Sequence, residues 1–132
     1  MRLYKAALAC ILFVFSINSF SESTYKWIEL WKPRRGEFKF EFKSNSFEKM
    51  ENILGSNTIS ILMRITTTNG KVSFVKYSVV EPDCAKGYGN LVSDSMDGSP
   101  QDSVPFVIGG GNGDSIIAEE ICSLDKSASP AQ

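Results

Sequence analysis

Residues 58–80 read TISILMRITTTNGKVSFVKYSVV, and this stretch decides the fold. Thr58 to Thr68 and Lys71 to Val80 are rich in Ile, Val, Thr and Tyr and flank an Asn69-Gly70 step. An Asn-Gly pair between β-rich runs suits the two positive-φ positions of a type I′ turn, so the stretch predicts an antiparallel hairpin. Immediately upstream, Glu37 to Lys43 alternates strictly, with Phe38, Phe40 and Phe42 on one face and charges on the other. That is the pattern of a half-buried strand. Tyr25 to Trp31 reads as a further strand, with Tyr25, Trp27 and Trp31 on one face and Ile28 and Leu30 on the other. Lys32-Pro33-Arg34-Arg35-Gly36 ends it in a basic turn.

Elsewhere the period changes. Phe47, Met50, Ile53 and Leu54 recur at helical spacing between Ser46 and Gly55, which suit a cap and a stop, and predict a two-turn helix. Gly87, Gly89, Gly98 and Pro100 mark a loop-rich region with a short strand at Asn90 to Met96. After the glycine run 109–113, Asp114 caps a helix from Ser115 to Leu124, whose apolar stripe holds Ile116, Ile117, Ile121 and Cys122. Ser127 to Gln132 reads as a disordered tail. The expected architecture is α+β: an antiparallel sheet of four to five strands, a C-terminal helix packed on one face, and one disulfide.

The N-terminus carries a secretory pattern. Arg2 and Lys5 precede an apolar run from Ala6 to Ile17, and Ser19 and Ser21 stand at the −3 and −1 positions for cleavage between Ser21 and Glu22. The run is too short to span a bilayer, which needs ~20 residues. Ala7-Leu8-Ala9-Cys10 loosely matches a lipid-attachment box, but cutting there leaves the apolar Ile11 to Phe15 on the product. The expected organisation is therefore a signal peptide over 1–21, one domain over 22–126, and the tail. Location is the periplasm or the cell surface, with no stable membrane insertion after signal removal.

Cleavage also sets the cysteine arithmetic. Of three cysteines, Cys10 leaves with the signal, so Cys84 and Cys122 have one intramolecular pairing in an oxidising compartment. A loop of ~39 residues closed this way removes roughly 4 kcal/mol of unfolded-state entropy. The charge of −1 becomes −3 when Arg2 and Lys5 leave, which argues against a nucleic-acid partner. Cations gather between Thr24 and Lys76 and acids between Val80 and Gln132. The two halves either form opposed surfaces or interleave.

Chemistry is sparse. The chain has no histidine, and neither a C-x-x-C nor a third sulfur completes a metal set. The glycine run lacks the P-loop and dinucleotide spacings. Glu119 and Glu120 diverge on a helix, whereas a glycosidase needs facing carboxylates. The expectation is a protein that is not an enzyme and needs no cofactor. The candidate binding surface is Tyr25, Trp27 and Trp31, either core or an exposed aromatic platform, beside Lys32, Arg34 and Arg35.

A tryptophan-bearing first strand, Asp83-Cys84 after a hairpin and Ile121-Cys122 on a terminal helix together resemble the bacterial surface-adhesin protein E family. Phe106 to Gly111 leading into Ala118 to Cys122 resembles the closing segment of its relatives. The resemblance implies an outer-surface or periplasmic domain that binds host matrix or serum proteins. The alternative is a periplasmic inhibitor or accessory factor of an envelope enzyme or complex.

Overall fold

A computed structural model gives the fold and describes residues 24–128. The expected signal peptide, its Ser21–Glu22 junction, Cys10 and residues 129–132 lie outside the described residues. The chain forms β1 (Trp27–Trp31), β2 (Phe38–Lys43), β3 (Glu48–Glu51), β4 (Asn57–Thr67), β5 (Val72–Val80), α1 (Glu81–Lys86), β6 (Tyr88–Ser95), β7 (Asp102–Val107) and α2 (Gly113–Ala128). All strand pairs are antiparallel, in the order β1-β2-β4-β5-β6-β7, with β3 also paired to β4. This is the expected α+β architecture, with its sheet extended to seven strands.

The β4–β5 hairpin is its centre. The turn differs from the predicted type I′: Thr67 N donates to Lys71 O at 2.9 Å and Gly70 N to Thr67 O at 2.9 Å. Thr68, Asn69 and Gly70 therefore form a three-residue loop in which only Gly70 takes positive φ, at 83°. Asn69 keeps the ordinary conformation of an L-residue, and its Oδ1 accepts from Lys71 N at 3.1 Å. A type I turn completed by a left-handed glycine satisfies the same Asn-Gly sequence.

The predicted helix over 46–55 is absent; β3 and a hairpin tip stand there instead. Strand pairing with β4 satisfies this backbone, whereas an isolated two-turn helix is marginal in water. Ser46 does not cap a helix. Its Oγ donates to Lys43 O at 2.7 Å and accepts from Leu62 N at 2.9 Å. At the tip, Asn52 Oδ1 accepts from Leu54 N at 2.9 Å and Ser56 N at 3.2 Å. Phe47 alone of the proposed stripe packs against the core. Met50, Ile53 and Leu54 are exposed by 63, 102 and 84%.

One face of the sheet is covered. Phe42, Ile59, Ile61, Met63, Val79, Leu91 and Phe106 meet Ile117, Ala118, Ile121 and Cys122 of α2 in a single core. Helix α2 begins earlier and ends later than expected. Asn112, not Asp114, is its cap: Asn112 Oδ1 accepts from Ser115 N at 2.9 Å. Ser127 and Ala128, assigned to the tail from sequence, are the last turn of the helix. The disulfide joins Cys84 to Cys122 with Cα atoms 5.5 Å apart. Cys84 sits in α1, an unpredicted helical turn that follows β5 directly, so the bridge ties helix to helix. A β-carbon on Gly89 would lie 2.0 Å from the Asp83 carboxylate, so the step from α1 into β6 requires glycine. Lys49 reaches from β3 to the same side, pairing with Glu81 of α1 and, at 3.1 Å, with Asp125 of α2.

Candidate binding face

Strand β1 is not regular. Its register to β2 runs Trp27↔Lys43, Ile28↔Phe42, Glu29↔Glu41 and then Trp31↔Phe40, with a bulge between Glu29 and Trp31. The extra residue reverses the alternation, so Trp27 and Trp31 fall on opposite faces. The shared aromatic face expected for Tyr25, Trp27 and Trp31 is corrected accordingly. Trp31 turns to the helix side, with its ring 5.0 Å from Phe40 and over Gly113 at the start of α2. Trp27 lies on the other face, the one α2 leaves uncovered.

That open face gathers residues from four strands. The register places Glu29, Glu41, Arg64 and Phe74 in one row across β1, β2, β4 and β5. Trp27 leans over this row, with Arg64 4.5 Å from its ring centroid and Phe74 at 5.9 Å. Tyr25 meets Trp27 edge-on at 6.4 Å, and Lys43 lies 4.2 Å above the Tyr25 ring. Aromatic rings stacked with cations make a rigid surface that is apolar and positive at once.

The charges beneath are fixed. Glu41 is nearly buried and accepts from Arg64 Nε at 2.7 Å and Nη2 at 2.6 Å, while Lys39 lies 2.8 Å from its other oxygen. Burial pushes its carboxyl up, but hydrogen bonds from Lys39 and Arg64 outweigh this and hold it below the usual carboxylate range. Lys39 is raised in turn, chiefly by its hydrogen bond to Glu41. Farther along, Lys76 pairs with Glu48 at 3.0 Å. Lys43, Ser46, Glu48, Leu62, Lys76 and Met96 border a shallow hollow of 310 Å³. The basic half of the sequence thus supplies this end of the face, while Asp94, opposite Lys76 in the register, edges it on β6.

Comparison with protein-family models, curated proteins and solved structures finds no match to this chain. The face therefore rests on its own geometry. Of the residues singled out from sequence, Tyr25 and Trp27 belong to it, Tyr25 being half exposed. Lys32, Arg34 and Arg35 are exposed on the β1–β2 turn, closed by Gly36 N donating to Pro33 O at 2.9 Å. Sequence reading missed Lys43, Arg64, Phe74 and Lys76. The signal for them was present: Arg64 and Phe74 occupy the face opposite Ile59, Ile61 and Met63 once the hairpin is folded in register.

Among the described residues, no helix is long and apolar enough to cross a membrane.

Proposed function

We propose that this chain is a small exported binding domain without catalytic activity, which presents its open sheet face to a protein partner. The supporting observation is the uncovered Tyr25–Trp27–Phe74 cluster interleaved with Lys43 and Arg64. Tryptophan, tyrosine and arginine are enriched in binding hot spots, and the two aromatics bury large area with little loss of side-chain freedom. Six strands at ~4.8 Å spacing give a face about 24 Å wide, adequate for an interface of ~800 Å² per partner. Its cationic end suits an acidic protein surface, such as a host matrix protein or an envelope protein, in keeping with the resemblance to surface adhesins. Saturable binding of the purified protein to matrix proteins or intact host cells is the expected result. Trp27→Ala and Arg64→Ala should each cost about 2 kcal/mol or more of binding energy if they are hot spots. Absence of saturable binding to both targets would remove the adhesin reading.

A second reading has its own support in the β3–β4 tip. Ile53 and Leu54 are fully or almost fully solvent-exposed on a turn held by the Asn52 side chain. A rigid turn with two apolar side chains suits the cleft of an envelope enzyme or complex, as an inhibitor or accessory factor would require. Pull-down from an envelope extract, repeated with Ile53→Asp and Leu54→Asp, separates the two. A bacterial partner lost with the tip variants, and retained by Trp27→Ala, supports this reading over the first.

A further inference from the structure

On the covered side, where the β1–β2 corner meets the start of α2, lies a hollow of 380 Å³. Trp31, Phe38, Phe40 and Tyr77 line it, together with Ile65 and Asp114. Phe40 sits between its neighbours, 5.0 Å from Trp31 and 6.3 Å from Phe38, with ring planes tilted by 41° and 49°. A β-carbon on Gly113 would stand 2.7 Å from the Trp31 ring, so glycine at this position lets the indole close over the helix start. Phe38 remains 40% exposed, which leaves the hollow open to solvent.

The charge of this hollow is distinctive. Asp114 is the one ionised side chain in its lining, and no cation pairs with it among the described residues. Asp114 and Tyr77 share the wall of the hollow, and burial, with the Asp114 charge adding to it, raises the Tyr77 hydroxyl. The helix N-terminus does not make this an anion site. Asn112 takes the Ser115 N–H, and Asp114 brings its own negative charge to the first turn. Aromatic faces are negative as well. The complement is a cation whose charge is spread over methyl groups, because such a group gains from ring faces without demanding hydrogen-bond acceptors.

We propose that this hollow binds the quaternary ammonium group of a choline-type ligand. Two sources share that chemistry: the free cation, and a choline phosphate headgroup. The basic turn bears on the choice. Lys32 follows Trp31 directly and Arg35 lies three residues before Phe38, so the turn leaves the rim of the hollow at both strands. A phosphate attached to the ammonium would face these cations, whereas a free cation would meet only their repulsion, screened beyond ~8–10 Å.

The test follows the indole N–H signal of Trp31 by NMR, assigned by its persistence in Trp27→Phe. The full chain is titrated with choline and, separately, with phosphocholine. Saturable shifts of the Trp31 signal are expected with at least one of the two, and Asp114→Asn should weaken binding roughly tenfold through loss of the counter-charge. The double variant Lys32→Ser, Arg35→Ser lies on an exposed turn and leaves the core intact. Weaker phosphocholine binding in it, with choline unchanged, assigns the headgroup; equal binding of both ligands in the parent and the variant assigns the free cation. No saturable shift with either ligand overturns the proposal. So does an Asp114→Asn protein that remains folded and binds as tightly as the parent.

Discussion

Trp27 and Trp31 stand four residues apart on one short strand, yet each serves a different face of the sheet. Trp31 meets Phe40 and the start of α2; Trp27 meets Arg64 and Phe74 under open solvent. The two faces solve different problems. The covered face is apolar, packed against α2 and stapled by Cys84–Cys122, and it carries the stability of the domain. The open face holds its rings with cations and its cations with Glu41, so it keeps a defined shape without a covering layer. A one-residue bulge is the device that lets a single strand contribute to both.

This contrast is most easily broken from the covered side. Phe106→Ala empties a fully buried site and should cost about 3–5 kcal/mol in urea unfolding. Phe74→Ala, the matching change on the open face, should cost about 1 kcal/mol or less, because its ring is 42% exposed. Equal losses would mean that the open face is buried in solution. Replacing both bridge cysteines with alanine should lower stability by roughly 2–5 kcal/mol. Near-unchanged stability would show that α1 and α2 hold together without the bridge.

Glu41 ties the shape of the open face to pH. Its folded carboxyl titrates below the unfolded value of about 4.3, so its contribution is complete above that value and disappears as pH falls through the lower folded value. Glu41→Gln should therefore cost about 1–3 kcal/mol at neutral pH, and little at pH 2. A loss of the same size at both pH values would contradict the charged pairing. Trp27→Ala, like Phe74→Ala, should have only a small effect on stability, about 1 kcal/mol, while changing the binding surface most.

The parts of this fold that were legible in sequence are those where one physical signal dominates. The hairpin, the Phe38–Phe40–Phe42 strand, the apolar stripe of α2 and the Cys84–Cys122 pair all follow from period, turn chemistry or cysteine count. The misread parts turn on tertiary competition. Met50, Ile53 and Leu54 imitate a helix stripe, but pairing with β4 takes the backbone of Met50, the turn held by Asn52 takes that of Ile53 and Leu54, and all three side chains are left in water. The bulge in β1 has no sequence mark, since Glu29 and Leu30 fit a regular strand equally well. Only half of the candidate face was visible, because Lys43, Arg64, Phe74 and Lys76 meet Trp27 through strand register rather than through any local motif.

The division of the two tryptophans between the faces is open to one direct measurement, the proton–proton NOE pattern of their indoles. Trp31 should show contacts to Phe40 and to the Gly113 α-protons, and Trp27 to Phe74 and the Arg64 side chain. Indole contacts from both tryptophans to the same set of neighbours would place them on one face and contradict the bulge, the open-face cluster and the functional reading built on it.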